Sequence, residues 1–366
     1  MTKIFCEYPW NNIYVHPDGN VKTCCIGRYN LGNIKTDNIQ DILNGEQLSK
    51  IKSDFLEGKW PNNCVACRFG EKVGFETMQS NNPESEEKIR NNPNDFFLEH
   101  LDYRWDNTCN LSCIYCRSSL SSKWEKIEGK TPSYVENDHT EDFHSFIFDN
   151  VKNLKMIRLY GGEPLLLKKS LKLIDSIQDD TQILISSNLS IPNLEKNKVF
   201  NALKDRKKVI WYVSFENIGK KYEYVRNGAD WNVFEKNLKL VTSMPNFKVS
   251  SASSYHVLSA LDLVEFYNYC YAYGNITVRW HGVTDPAQLN VYRAPQHIRD
   301  MCVNNIETAL NTHHIPNKRL LTNILDGYKN VPTTEDSLQH LDAFLKSTEE
   351  KLSKKVSYLQ LWPELR

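Results

Sequence analysis

The sequence has no excess charge of either sign: 45 lysines and arginines face 45 aspartates and glutamates, for a formal net charge of zero. A chain built to grip nucleic acid along its phosphates carries a basic surplus, so this balance counts against a nucleic-acid partner. Long apolar runs are also missing: no stretch approaches the roughly 18 residues that suggest a membrane span. The Met1–Trp10 segment lacks the apolar centre of a secretory signal, so no membrane partner is expected and the chain reads as cytoplasmic. Internal repeats and low-complexity tracts are absent. Cysteine is scarce over most of the length, with only Cys270 and Cys302 after residue 116.

What cysteine there is lies together. Cys6, Cys24, Cys25, Cys64, Cys67, Cys109, Cys113 and Cys116 occupy the first third of 366 residues. Reducing compartments keep thiols free, and clustering at short spacings favours metal ligation over core filling. Between the two groups, Ser80–Asn94 (SNNPESEEKIRNNPN) has two prolines, many charges and almost nothing apolar, so 81–94 is expected to be a linker.

From residue 95 onward, short β-rich runs alternate with helical patterns. Phe97–Trp105, Lys155–Tyr160, Gln182–Ser186, Val209–Phe215, Lys248–Ser253 and Ile276–Trp280 read as strands. Leu165–Ile177, Trp231–Val241 and Leu258–Tyr271 have apolar spacing near the helical period. This alternation implies an α/β fold of right-handed parallel βαβ units, with ligands at the carboxyl ends of the strands. Six such units are too few for an eight-stranded closed barrel, so an open barrel over 95–290 is expected. Residues 291–366 read as mostly helical, closing with the amphipathic run Glu335–Leu361.

After the first strand stands Cys109-Asn-Leu-Ser-Cys113-Ile-Tyr-Cys116, three cysteines in one tight loop. Four thiolates ordinarily hold a 4Fe–4S cube. Three reach three irons and leave the fourth open for a chelating ligand. A structural zinc site generally takes four protein ligands, and neither a His nor a fourth Cys lies in this loop. After the second strand comes Tyr160-Gly161-Gly162-Glu163-Pro164, whose two glycines allow close approach of backbone to a ligand.

The cysteine triplet, Tyr115 before its last Cys, and the Gly-Gly-Glu-Pro segment together resemble the radical S-adenosylmethionine superfamily. The resemblance covers roughly residues 96–286. It implies a partial (βα)6 barrel, a 4Fe–4S cluster on Cys109, Cys113 and Cys116, and S-adenosyl-L-methionine chelated to the open iron. The cofactor would be cleaved reductively to a 5′-deoxyadenosyl radical that abstracts a substrate hydrogen, with electrons from a donor such as flavodoxin or ferredoxin. By the same resemblance Tyr115, Gly161, Gly162, Glu163, Ser187, Ser214, Glu216 and Arg226 are cofactor-binding residues. Glu163 would meet the amino group, Ser214 and Glu216 the sugar, and Arg226 the carboxylate, a role suited to a forked guanidinium.

In residues 1–80, His16-Pro17-Asp18-Gly19-Asn20 reads as a hairpin turn between Ile13–Val15 and Val21–Thr23, which would bring Cys6 and Cys24 together. A helical stretch over Ile39–Gly58 then leads to the pair Cys64 and Cys67. Four thiolates, Cys6, Cys24, Cys64 and Cys67, can ligate an auxiliary 4Fe–4S cluster, or zinc, with Cys25 the alternative to Cys24. The spacing is similar to the twitch/SPASM modules of radical S-adenosylmethionine enzymes, although those usually follow the barrel and this one precedes it. Relatives so equipped oxidise, cross-link or epimerise peptides and proteins, and some oxidise small molecules. A peptide or protein is the expected substrate and a small molecule the alternative. A non-catalytic cluster or zinc scaffold is a reading of another class. Cys270, Cys302, Tyr255, Arg279, His281 and Asp285 are accessory candidates, and no residue is assigned as catalytic acid or base. Cys270 lies on an aromatic helix face, where a packed thiol is the expected role.

Overall fold

The computed structural model describes residues 4–73, 80, 82–131, 138–273, 276–312, 315, 318–330 and 337–366. Eleven strands are assigned among them: β1 (Asn12–Val15), β2 (Asn20–Lys22), β3 (Gly32–Asn33), β4 (His100–Tyr103), β5 (Met156–Leu159), β6 (Gln182–Ser187), β7 (Val209–Val213), β8 (Phe247–Ser251), β9 (Ser253–Tyr255), β10 (Ile276–Thr277) and β11 (Trp280–Gly282). Nine form one sheet in the order β10-β8-β7-β6-β5-β4-β1-β2-β3, and β9 and β11 pair separately. From β4 to β10 every neighbour is parallel and the order follows the chain, the winding of a partial barrel with helices outside. The expected last strand, Ile276–Trp280, is split between β10 and β11.

Alternation along these strands divides two environments. Leu101, Tyr103, Ile157, Leu159, Ile183, Ile185, Trp211 and Val213 are buried in the main apolar core. The intervening residues Asp102, Arg158, Leu184, Ser186 and Tyr212 line a cavity inside the open barrel. Helices Lys168–Ser176, Lys198–Lys204 and Trp231–Thr242 bury residues at helical spacing, among them Leu173, Phe200, Phe234 and Leu238. The expected helices over Leu258–Tyr271 and Ile39–Gly58 are each broken once, at Asp262 and at Asn44-Gly45.

The amino-terminal segment is not a separate layer. Its hairpin turns at Gly19, whose φ of +92° an L side chain rarely adopts, and pairs Tyr14 with Lys22 and Val15 with Val21. Strand β1 then lies parallel to β4, with Tyr14 opposite Asp102. The hairpin thus extends the barrel sheet across its first strand, the edge a partial barrel leaves unpaired. Behind it Phe5, Trp10, Tyr29, Ile51, Phe55 and Ile89 form a small second core.

Ile89 corrects one expectation. Residues 81–94, expected as a linker, contain the helix Pro83–Asn91, started by Pro83 and capped by the Asn82 side chain on Glu84 N. Its few apolar atoms suffice because Ile89 is fully buried and Glu86 pairs with Arg90 at 2.7 Å.

The carboxy-terminal region is helical, with Gln296–Thr312, Lys318–Asn330, Ser337–Lys351 and Tyr358–Leu361. Of the expected run Glu335–Leu361, residues 335–336 lie outside the described residues, and the rest breaks near Ser353 at φ +49°. Trp362 is fully buried and donates from Nε1 to Asp262 at 2.9 Å. Among the described residues nothing after His281 lines the barrel cavity, so this region packs outside the barrel. No helix is long and apolar enough to cross a membrane among the residues described.

Candidate functional site

The loop after β4 is held from both sides. Leu111 O accepts from the buried Ser121 hydroxyl at 2.7 Å, and Cys113 O from Trp124 Nε1 at 2.9 Å. Ser112 and Ile114 donate from their backbone N–H groups to Asn227 and Val225 at 2.9 Å each. These bonds turn Cys109, Cys113 and Cys116 towards one cavity of about 850 Å3, which also receives Tyr115, Gly161, Gly162, Ser214 and Arg226. That volume lies in the upper part of the usual ligand-pocket range.

Burial pushes the Cys109 thiol up to about 12 and raises those of Cys113 and Cys116, with Arg226 opposing the shift at each. Buried neutral thiols are poor nucleophiles, and a metal centre is what makes their deprotonation favourable. The donor set therefore fits a cluster. Among the described residues no three Cys, His, Asp or Glu side chains could hold a single metal ion. Thiolates of a cube each bind a different iron and need no common point.

The two glycines have a reason the sequence reading did not give. A Cβ on Gly162 would stand 2.2 Å from Thr108 O and 2.5 Å from Asn107 O, and one on Gly161 (φ +132°) would meet Asp106 O at 2.9 Å. Glu163 N donates to Thr108 O at 2.8 Å. The glycines admit the base of the cysteine loop against the end of β5, as well as lining the cavity.

Three expected cofactor contacts are placed differently. Glu163 is fully buried and does not line the cavity; it accepts from Leu165 N at 3.1 Å, the Ser187 hydroxyl at 2.9 Å and Asn188 N at 2.8 Å. Burial outweighs these donors and raises its carboxyl to about 7. Ser187 is spent on that bond, and its neighbours Ser186 and Asn188 face the cavity instead. The period-2 alternation of β6, counted from Leu184, carried this distinction. Asn188, the last residue of the Ser186-Ser187-Asn188 strand end that resembles the family's small polar positions, points Nδ2 at Asn110 Oδ1 (3.0 Å) and at Cys109 Sγ (4.0 Å).

Glu216 is also buried away from the cavity. It accepts from Arg226 Nη2 at 2.6 Å and from the Tyr115 hydroxyl at 3.2 Å, while the guanidinium lies 5.7 Å from the Tyr115 ring. Arg226 does line the cavity, and its Nε has no partner. An unpaired buried donor beside the cysteine loop fits an acceptor on a bound cofactor.

His256 closes this network, its ring 5.5 Å from Tyr115. Nδ1 accepts from Ser259 N at 3.3 Å, so the proton of the neutral ring belongs on Nε2, which is buried without a partner. Burial, then Arg226, lowers its pKa to about 3. The unfolded chain takes up a proton near pH 6.5 that the folded state refuses, so stability is fully present above that pH and falls on acidification. The expected loss at about pH 5 is about 2 kcal/mol. Urea midpoints at about pH 7.5 and about pH 5 check this, and His256→Gln is expected to flatten the difference by that amount.

A second group of cysteines gathers behind the hairpin. Cys6, Cys24, Cys64 and Cys67 line one small pocket with Tyr29, Phe55 and Trp60. Burial raises the Cys64 thiol to about 12 and those of Cys6 and Cys24 above their ordinary range, and Cys6, Cys24 and Cys64 also interact with one another. Cys25 is turned away into the barrel cavity, where its charged neighbours include Asp102, Arg104 and Arg158. The geometry separates the adjacent pair: Cys24 belongs to the four-cysteine group and Cys25 to the cavity wall. Cys24→Ser is expected to lower iron by about four per chain and Cys25→Ser to leave it unchanged, as read by iron and sulfide assay.

Of the accessory candidates, Arg279 and His281 line the cavity. Cys270 and Cys302 are buried thiols outside it, as is the Tyr255 ring. Asp285 pairs with Arg117 at 3.0 Å on the surface.

Residues 6–68 match the SPASM family, an iron–sulfur cluster-binding domain. This bears out the auxiliary-cluster expectation for the amino-terminal segment. No curated protein sequence matches the chain. Among solved structures it is similar to native anSMEcpe with bound AdoMet and Kp18Cys peptide, at 16% identity over 57% of this chain and 60% of that one, TM-score 0.41. It is also similar to Streptococcus suis SuiB bound to S-adenosylmethionine, at 16% identity over 74% and 61%, TM-score 0.41. SuiB bound to precursor peptide SuiA gives 13% identity over 91% and 71%, TM-score 0.38. The matched region thus spans about three fifths of the length of the first two structures.

Proposed function

We propose that the chain is a radical S-adenosylmethionine enzyme in which Cys109, Cys113 and Cys116 hold the cofactor-cleaving 4Fe–4S cluster. Cys6, Cys24, Cys64 and Cys67 hold an auxiliary one. The observation that carries this reading is the opening of three cysteines from one loop onto the cavity that also receives Gly161, Gly162, Ser214 and Arg226. When bound, cluster and cofactor supply one-electron cleavage and a carbon radical that takes hydrogen from the substrate.

The chain's own residues orient and tune. Arg226 offers its free Nε to the cofactor carboxylate, and Glu216 and Tyr115 fix the plane of the guanidinium. Asn188 directs an amide hydrogen at Cys109 Sγ, and such donors make a cluster easier to reduce. Glu163 ties β5 to β6 and so fixes the spacing between the cysteine loop and the strand ends. With Glu163 so engaged, recognition of the cofactor's amino group falls to backbone at Gly161 and Gly162 rather than to that carboxylate. Because Cys24 and Cys25 are adjacent, the auxiliary site lies one residue behind the cavity wall, and a cluster held there by Cys6, Cys24, Cys64 and Cys67 would supply one-electron chemistry beside the substrate space.

The substrate in this reading is a peptide or protein, modified by oxidation or bond formation. The cavity runs from the cysteine loop to exposed Ile26 on the hairpin side and exposed Arg279 and His281 on the β11 side. One side chain can enter while the rest of a chain stays outside. The test is anaerobic reconstitution, then incubation with cofactor and a strong reductant, alone and with candidate peptides. Release of 5′-deoxyadenosine with a defined mass change on a peptide is expected. Iron-loaded protein that releases none would overturn the enzyme reading, and release stimulated only by small molecules would overturn the peptide.

A further inference from the structure

The wall of the cavity on the hairpin side carries charges that neither cluster uses. Asp102 and Arg104 lie at and just beyond the end of β4, and Arg158 is on β5, opposite Asp102 in the parallel register. Strand β1 sets Tyr14 against Asp102 from the other side. All of these charged groups line the cavity. Arg104 is flanked by two rings, Tyr14 at 5.1 Å and Tyr160 at 5.4 Å from its guanidinium carbon. That sandwich holds the guanidinium by cation–π contact while leaving its edge open to a ligand.

The pairing within this group is incomplete. The carboxylate nearest to Arg104 is Asp102, with Nε and Oδ1 3.9 Å apart, and both atoms are buried without a hydrogen-bond partner. Arg158 is 8% exposed and spends two donors on neutral acceptors, Asn12 Oδ1 at 3.4 Å and the Tyr8 hydroxyl at 2.9 Å. Two guanidiniums therefore share one loosely placed carboxylate, leaving one positive charge uncompensated in a buried wall. Such a charge is costly unless a partner arrives, and the open space beside it is where a partner can arrive.

We infer that Arg104 and Arg158 form a subsite for one carboxylate of the substrate, held against the hairpin wall beside Cys25. The inference rests on the functional reading above and names the substrate class it implies: a molecule with an anionic carboxyl group near the reacting carbon. Paired guanidiniums suit it because their forked donors match the two oxygens of a carboxylate. The group could come from an acidic side chain or from a chain terminus.

Three N-acetylglutamate derivatives separate these sources. The α-amide keeps only the side-chain carboxylate, N-acetylglutamine keeps only the terminal one, and the diamide is neutral. Calorimetric titration of cluster-loaded protein is expected to show at least one monoanion binding about tenfold or more tighter than the diamide; whichever isomer binds identifies the source. In the double variant Arg104→Gln, Arg158→Gln that preference is expected to vanish, with iron content and cofactor affinity as in the parent. Equal binding of monoanions and diamide, no binding at all, or a double variant that loses cofactor affinity instead would overturn the inference. The comparison of isomers on the parent protein stands even if the variant fails to fold. Parent protein that binds the monoanion but releases no 5′-deoxyadenosine would sink the functional reading alone. Parent protein that releases it yet ignores charge would sink only this one.

Discussion

Replacing any one of Cys109, Cys113 and Cys116 with alanine is expected to remove about four of about eight irons per chain and to reduce 5′-deoxyadenosine release to that of a protein-free control. The effect is all or nothing because the loop carries three thiols and supplies no replacement. The other cysteine that lines the cavity among the described residues, Cys25, comes from the hairpin side beside Asp102, Arg104 and Arg158. Folding should survive the change. Leu111 and Cys113 hold the loop through backbone carbonyls, to Ser121 and Trp124, which an alanine preserves. Circular dichroism like that of the parent, iron at half the parent level and no nucleoside product form the expected set. A single alanine variant that kept full iron and turned over would contradict it.

The second large effect is on stability. Glu216→Gln is expected to cost about 3–5 kcal/mol, because it leaves the Arg226 guanidinium buried without its counter-charge. Glu216 is fully buried, Arg226 is 4% exposed, and they meet at 2.6 Å. The Tyr115 hydroxyl loses a charged acceptor in the same step. Urea denaturation under anaerobic conditions reads the loss. The double variant Glu216→Leu, Arg226→Met removes both charges and is expected to recover most of it. Its cofactor affinity should not recover, since no forked donor remains at the cavity. A double variant that bound cofactor like the parent would remove Arg226 from the site.

The outline of this molecule was legible because its strands are short, apolar and regularly spaced. Five of the six expected strands match β4 to β8 to within three residues at each end, since β-rich runs alternating with helical patterns mark parallel βαβ units. The sixth was misjudged because Ile276–Trp280 changes sheet partway, a tertiary event that leaves no local pattern. The helix Pro83–Asn91 was hidden for a different reason: one buried isoleucine gives no periodicity, although Asn82 and Pro83 are a start signal that composition overshadowed.

For the site, spacing grouped the cysteines and favoured Cys24 over Cys25 as the ligand; the fold turns Cys24 to the four-cysteine pocket and Cys25 to the barrel. At the end of β6 the resemblance indicated Ser187, whose hydroxyl bonds Glu163 while Ser186 and Asn188 line the cavity, because facing depends on strand register. Glu163 and Glu216 were expected at the cofactor and were found bonded inward, supporting the strand ends and Arg226. The charged wall of Asp102, Arg104 and Arg158 could not be read at all. It exists only where β1 joins β4, and nothing local in Leu101–Trp105 or Met156–Tyr160 announces that the two segments share a face with the hairpin.

Electron paramagnetic resonance addresses the cofactor cluster most directly, using protein in which Cys6, Cys24, Cys64 and Cys67 are all alanine, so that only the loop of three can hold iron. Reduced samples should show a single 4Fe–4S signal whose shape changes when S-adenosylmethionine is added, because the cofactor takes the iron that no cysteine holds. A signal indifferent to the cofactor, or no cube in protein that is still folded, would contradict the assignment.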